Sequence, residues 1–336
     1  MKWIFAALVA LCLIAMAQRQ FPIALAQRQF PDPNTYPNSI VALQARDYSG
    51  SQITLERRLK DGSSYRQWIA SYRSDGLKIL ALLTIPKSKA PKNGFPVVVF
   101  NHGYIAPEIY RTTEKYLAYQ AGFASKGYIV FKPDYRGHGF SEGKPASAYT
   151  MPDYTIDVMN AVSSIKKLPQ ADPNNIGIWG HSMGGYLALR TLVLRSGAKA
   201  AVIWGGVVAP HLDIIEFWSR RTRAENAQYR RYIAQREALY KVWGSPSENP
   251  AFWRAMSANT FITAPIAPVQ LHHGISDDVV PVQFSKTLAT ALKAVGSVVE
   301  LYAYPRTDHN LTQNFSSAMR RSVAFFDRYL KVVPKP

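Results

Sequence analysis

The stretch Ile176-Gly177-Ile178-Trp179-Gly180-His181-Ser182-Met183-Gly184-Gly185 decides how this chain is read. A short apolar run enters Gly-x-Ser-x-Gly and passes directly into a helical pattern. That is the signature of a sharp strand-to-helix turn with a serine at its apex. The reason is steric. Lifting Oγ above a sheet strains the backbone of Ser182 and crowds its neighbours, and Gly180 and Gly184 have no Cβ to clash. The N-terminus of the following helix directs free N–H groups and its positive dipole end at any negative charge that develops beside the serine. A serine so placed needs partners. The chain is expected to supply a carboxylate and then a histidine downstream, and an N–H donor upstream.

Working outward, strands and helices alternate. Phe95 to Asn101 is apolar without alternation, the mark of a strand buried on both faces. Helix at Glu114–Ser125, strand at Tyr128–Lys132, helix at Asp153–Lys167 and strand at Ile176–Trp179 follow, then helix from Tyr186 to Arg195 and strand at Ala200–Trp204. After a break come strand at Val269–His272, helix at Val282–Ala294, strand at Val298–Tyr304 and a closing helix over Thr312–Leu330. Such alternation predicts an α/β fold, a mostly parallel sheet with helices on both faces, whose functional loops lie at the carboxyl ends of the strands. Upstream, Tyr65–Ser71 and Leu77–Ile85 flank the turn Ser74-Asp75-Gly76 and read as a hairpin. Residues from Gln27 to about Ser49 are rich in Pro, Asn and Gln and read as an extended lead-in. The break, about 207–262, is helical, aromatic and basic, and is expected to form a cap over the strand ends.

An alcohol is a poor nucleophile until a base takes its proton. His309, in Tyr304-Pro-Arg-Thr-Asp-His309, follows the last strand and is the best-placed base; an imidazole titrates near neutral pH and can shuttle a proton. Its rivals are His102, His138, His181, His211, His272 and His273. His181 fills the variable position of the turn and should point away from Oγ, and His102 and His138 precede the serine. The base needs a carboxylate to fix its tautomer. His273-Gly-Ile-Ser-Asp277-Asp278 ends a strand with two candidates, and Asp277 is preferred because it falls at the loop tip; Asp278 and Asp308 are the alternatives. Two backbone N–H groups should hold a developing oxyanion: that of Met183, directly after the serine, and that of Tyr104, after Asn101-His102-Gly103. The Tyr104 phenol is a further donor. Arg136, in Asp134-Tyr-Arg136-Gly-His138-Gly, is read as structural, pinning loop carbonyls. This chemistry calls for no metal and no cofactor.

The bulk composition sets limits. The chain has 336 residues, is 47% hydrophobic and carries a net charge of +18, which suffices for one large core. Nothing in it resembles a nucleic-acid-binding motif, so no nucleic-acid partner is expected. In the break, Arg220, Arg221, Arg223, Arg230, Arg231 and Arg236 interleave with Trp218, Tyr229 and Tyr232. Glu216, Glu225 and Glu237 are mixed in, so this reads as a solvated helix face, with weak surface association as the alternative. Lys2 followed by the apolar run Trp3 to Ala17 reads as a signal peptide, 1–26, cleaved after Ala26 or, alternatively, Ala17. Cys12, the single cysteine, lies in that run, so the mature protein is expected to be periplasmic or secreted without disulfides.

These residues resemble an α/β-hydrolase, and specifically the catalytic domain of the prolyl-oligopeptidase-like serine hydrolases. The resemblance is carried by the Asn101-His102-Gly103 strand end, Gly180-His-Ser182-Met-Gly184, Gly244-Ser-Pro-Ser-Glu-Asn-Pro250, and His273-Gly-Ile-Ser-Asp277-Asp-Val-Val-Pro281 with His309. It covers roughly Tyr65 to Leu330. It implies a Ser182–Asp277–His309 triad, an acyl-enzyme, and a small peptide or ester as substrate. Full-length peptidases of this kind carry a β-propeller before the catalytic domain; the stretch from Ala26 to Tyr65 is too short for one. An acidic site for a peptide amino terminus is not evident either. Carboxylester hydrolysis without peptidase activity is therefore the alternative, and a non-catalytic binding protein on the same scaffold a third.

Overall fold

The four central strands are built from apolar residues that alternate between two cores. Val97 and Val99, Ile129 and Phe131, Ile176 and Ile178, and Ala201 and Ile203 face one cluster, while Val98 and Phe100, Val130, Trp179, and Val202 and Trp204 face the other. Both faces are buried, which explains runs without polar alternation. The computed structural model describes residues 29–218 and 227–331. The chain divides into two units, Met1–Pro31 and Asp32–Pro336, and the fold lies in the second. The proposed signal segment, 1–26, falls outside the described residues.

Among the described residues the strands are β1 (Thr54–Arg58), β2 (Tyr65–Ser74), β3 (Leu77–Pro86), β4 (Phe95–Asn101), β5 (Ile129–Pro133), β6 (Ala171–His181), β7 (Ala200–Trp204), β8 (Val269–Gly274) and β9 (Val299–Tyr304). They form one sheet in the order β1-β2-β3-β5-β4-β6-β7-β8-β9. The strands β1, β2 and β3 pair antiparallel, and β3 joins β5 antiparallel; from β5 to β9 all pairing is parallel. This is the α/β-hydrolase fold. Eight helices matter here: α1 (Ile40–Gln44), α2 (Leu117–Ala124), α3 (Asp153–Ile165), α4 (Met183–Val193), α5 (Ala227–Trp243), α6 (Pro250–Ala255), α7 (Val282–Ala294) and α8 (Phe315–Leu330). The first core packs Val158 and Val162 of α3, Leu187 of α4 and Leu288 of α7; the second packs Phe123 of α2 with Phe325 and Phe326 of α8. No helix among the described residues is long and apolar enough to cross a membrane.

Four features differ from the sequence reading. The lead-in is not simply extended: α1 forms there, capped by the Ser39 hydroxyl, which accepts from the Ala42 N–H at 3.1 Å. The guanidinium of Arg190 holds this segment by donating to the Asn38 carbonyl and side-chain oxygens at 2.9 and 2.8 Å. Strand β1 went unread because every one of its residues is exposed, so no burial pattern marks it. Helix α2 starts later than Glu114 because Lys115 and Tyr116 adopt left-handed φ of 54° and 56°. Finally, Arg136 binds carboxylates and not loop carbonyls. It pairs with Asp157 at 2.7 Å, Asp75 at 3.1 Å and Asp153 at 3.2 Å, so a buried guanidinium meets a buried Asp157 as its compensating charge.

Between β7 and β8 the chain leaves the sheet and folds on a cluster of its own: Ile215, Tyr232, Leu239, Phe252, Trp253 and Met256. Asn249 of the Gly244–Pro250 turn ties it together. Its Nδ2 donates to the Trp243 carbonyl at 2.9 Å and its Oδ1 caps α6 through the Phe252 N–H at 3.3 Å. Trp218 joins this segment to the loop after β8, its indole N–H donating to the Val279 carbonyl at 2.7 Å. Arg220, Arg221, Arg223 and Glu225 lie outside the described residues; Arg236 pairs with Glu237 at 3.1 Å.

Candidate active site

Strand β6 ends at His181 and helix α4 begins at Met183, which leaves Ser182 alone on the turn with φ 54° and ψ −119°. A non-glycine residue persists there only where its surroundings over-determine it. They do. The Ser182 N–H donates to the Trp204 carbonyl at 3.0 Å, and its own carbonyl accepts from Gly185 at 2.9 Å and Val207 at 3.1 Å. The flanking glycines are required by space: a Cβ on Gly180 would lie 2.2 Å from the Gly184 carbonyl oxygen, and one on Gly184 would lie 2.0 Å from that of Asn101. The Ser182 hydroxyl does not cap the helix it precedes, so Oγ is left for other work. The N–H of Met183 opens α4 and has no intrahelical acceptor.

The loop after β8 carries Asp277 and the loop after β9 carries His309. They meet: His309 Nδ1 lies 2.7 Å from Asp277 Oδ2, the carboxylate fully buried and the imidazole 12% exposed. The other carboxylate oxygen accepts from the backbone N–H groups of Val279 at 2.9 Å and Val280 at 2.8 Å. His273 Nε2 approaches Oδ2 at 3.2 Å. Burial works against this charge, but the hydrogen bonds from His273 and His309, the imidazole's charge and the Val280 N–H outweigh it, and the carboxyl is held well below its usual range. A carboxylate can only accept, so Nδ1 carries the hydrogen and Nε2 of neutral His309 keeps its lone pair. Ser182 and His309 approach the same strand end. Ser182 bonds to Trp204, and a Cβ on the next residue, Gly205, would lie 3.1 Å from the His309 ring.

Upstream, β4 ends at Asn101. The Gly103 carbonyl lies 2.7 Å from buried His102 Nδ1, which must donate to it. In a trans peptide the next N–H points opposite to that carbonyl, so the Tyr104 N–H is turned away from the buried His102. Tyr104 itself is partly exposed, at 36%.

The remaining candidates lie elsewhere. Asp308 accepts from the Thr312 N–H and hydroxyl, each at 2.7 Å, and so caps the turn before α8. Asp278 is exposed. His272 lies within the sheet between Tyr304 and Gln270. His211 opens the segment after β7 and is buried, as is His138. Sequence reasoning missed the role of His273, which donates through Nε2 to the Val280 carbonyl at 2.8 Å and reaches Asp277, while Ser285 fixes its Nδ1 at 2.7 Å. The only signal for it is a histidine at the end of an apolar strand. Among the described residues no group of three His, Cys, Asp or Glu is arranged to hold a metal ion.

A nucleophile-type serine turn above a parallel sheet, with a histidine and a buried carboxylate on the next strand ends, defines a serine hydrolase of the α/β-hydrolase class. The chain belongs to the prolyl oligopeptidase family, whose model matches residues 115–333. The uncharacterized peptidase YtmA of Bacillus subtilis is 28% identical over 262 residues, 76% of this chain and 91% of that protein. A probable dipeptidyl-aminopeptidase B of Aspergillus oryzae is 26% identical over 279 residues, 78% of this chain but only 29% of that protein. Acetyl xylan esterase 1 from a Thermoanaerobacterium species shares the fold with a TM-score of 0.64 at 18% identity, covering 89% of this chain and 95% of that one. The family joins peptidases to this chain and the fold joins esterases to it.

Proposed function

We propose that this chain hydrolyses small peptides or esters through an acyl-enzyme on Ser182. Ser182 Oγ attacks the carbonyl carbon as its proton passes to His309 Nε2. The oxyanion takes hydrogen bonds from the Met183 and Tyr104 N–H groups, and Asp277 holds the imidazolium through Nδ1. Collapse expels the amine or alcohol, which takes its proton from His309. A water then gives a proton to His309 and attacks the acyl carbon; Ser182 leaves with that proton and the acid departs. The observation that carries the reading is the 2.7 Å bond between His309 and fully buried Asp277, made beside a serine held at a left-handed turn.

Release of p-nitrophenol from p-nitrophenyl acetate and of amine from aminoacyl anilides, by wild type and Ser182→Ala, tests it. Turnover of either class by wild type and loss by about 10⁴ to 10⁶ in the variant is expected. Equal rates in both proteins would sink it.

A carboxylesterase without peptidase activity is the second reading. Exposed Tyr104, Ile109, Phe140, Ile275 and Val279 sit on loops at the carboxyl ends of the strands. A cleft of about 320 Å³, lined by Trp218, Ile275, Val279 and Val282 together with Asp277, Asp278 and Gln283, lies among them. The exposed apolar side chains favour apolar groups over charged peptide termini. We place the protein outside the cytoplasm on the strength of Lys2 and the apolar run to Ala17; N-terminal sequencing of exported protein, starting at Gln27 or Gln18, tests that.

A further inference from the structure

His181 fills the variable position of the serine turn, and its ring has two partners of fixed chemistry. On one side Nε2 lies 3.1 Å from the His309 carbonyl oxygen. On the other, Nδ1 lies 2.7 Å from the Tyr116 hydroxyl. That hydroxyl in turn lies 3.1 Å from the backbone N–H of Gly103. The two ends fix every hydrogen between them. A carbonyl only accepts, so His181 donates through Nε2 and, when neutral, accepts at Nδ1. A backbone N–H only donates, so Tyr116 Oη accepts from Gly103 and commits its own hydrogen to His181. A single arrangement satisfies all four groups.

We propose that Tyr116 and His181 are positioning residues that lock the backbone of the oxyanion loop to the backbone of His309 through this one chain of hydrogen bonds. The inference rests on the catalytic reading of Ser182 and His309. One end grips Gly103, whose peptide with Tyr104 carries the upstream N–H donor. The other grips the carbonyl of the base itself. The chain runs beside the serine: a Cβ on Gly103 would lie 3.1 Å from His181 Nδ1 and 3.2 Å from Ser182 Cβ.

Three further observations bear on it. Lys115 and Tyr116 both hold left-handed φ, 54° and 56°, an unfavourable conformation for a bulky residue that recurs where function demands it. It ends the loop and aims Tyr116 inward, where burial pushes its phenol above the ordinary range. One turn on, Tyr119 donates to the Asn310 carbonyl at 3.1 Å, so α2 grips the base loop a second time. Burial also lowers His181 to about 3, which keeps the ring neutral and the chain intact across the ordinary pH range.

The test compares Tyr116→Phe, His181→Ala, their double variant and His181→Gln on p-nitrophenyl acetate, with melting temperature and active-site titration alongside. Positioning predicts that kcat per titrated site falls about 10-fold or more in Tyr116→Phe and His181→Ala while KM stays within about two-fold. Because both residues serve one chain, the second substitution should add little to the first. Glutamine can donate from Nε2 and accept at Oε1, so His181→Gln should recover much of the loss. Unchanged kcat per titrated site with only a lowered melting temperature would overturn the inference, as would multiplicative losses in the double variant. If His181→Ala does not fold, Tyr116→Phe, which deletes one oxygen, carries the test. Ser182→Ala separates the two claims. If it is inactive while Tyr116→Phe and His181→Ala keep full kcat, the positioning role fails and the catalytic reading stands. If Ser182→Ala turns over like wild type, the catalytic reading itself fails.

Discussion

The serine turn and the segment between β7 and β8 are built on different principles. At the turn, backbone meets backbone: Gly180 and Gly184 leave no room for a single carbon, and Ser182 is held by four main-chain hydrogen bonds. In the inserted segment, side chain meets side chain. Trp243 stacks on Phe252 at 4.6 Å, and Tyr36 closes over both. The candidate site is assembled from the stiffest material in the chain. The inserted segment is assembled from side chains that can repack. Changes in the first region should therefore strike kcat, and changes in the second should strike what reaches the serine.

The largest effect should come from Asp277→Asn. An amide cannot offer His309 Nδ1–H the carboxylate it now has, and kcat on an ester should fall about 10⁴-fold with little change in melting temperature. A loss under about ten-fold would mean that the Asp277–His309 bond does not orient the base. Next comes Gly184→Ala, whose new methyl would lie 2.0 Å from the Asn101 carbonyl oxygen. Neither wall is a side chain that can swing aside, so urea unfolding should show a loss of at least about 1–3 kcal/mol. A variant as stable as wild type would show that the turn is softer than its contacts suggest.

Acid should weaken both regions. His102, His138, His181, His211 and His272 are buried, and loss of hydration lowers all of them, to about 4 for His138 and about 3 for His181, His211 and His272. Unfolded, each takes up a proton near its ordinary value of 6.5. Below that pH the unfolded chain binds more protons than the folded one, so stability falls as pH falls, by about 1.4 kcal/mol per pH unit for each histidine. Asp134 acts oppositely. Burial raises it from 3.8 to about 6, which returns one proton's worth of stability as pH drops through that window. Melting temperature should thus fall steeply from pH 6.5 to pH 5, and a flat profile would contradict the neutral buried histidines. The smallest effect belongs to Tyr36→Phe, which deletes a 2.6 Å bond from its hydroxyl to the Thr150 carbonyl. It should cost about 1 kcal/mol and leave the rate of fluorophosphonate labelling within about two-fold. A large drop in labelling would erase the distinction between the regions.

Much of the fold is legible in the sequence, for a physical reason. Strands such as β4 and β7 are buried on both faces, so burial alone writes them as apolar runs. Strand β1 is exposed throughout and leaves no such trace. Helix α2 starts late because of backbone strain at Lys115 and Tyr116, which no residue type announces. At the site, Ser182, Asp277 and His309 could be singled out because strand ends and chain order constrain them. Tyr116, His181 and His273 could not be given roles, since their partners are fixed by loops that approach only in space: Gly103 and His309 are far apart in the chain and are joined only through Tyr116 and His181.

The most direct measurement is the mass of a fluorophosphonate adduct mapped to its peptide. One adduct per chain is expected, on the peptide containing Ser182, with labelling abolished in Ser182→Ala. An adduct on another residue, or equal labelling of Ser182→Ala, would contradict it.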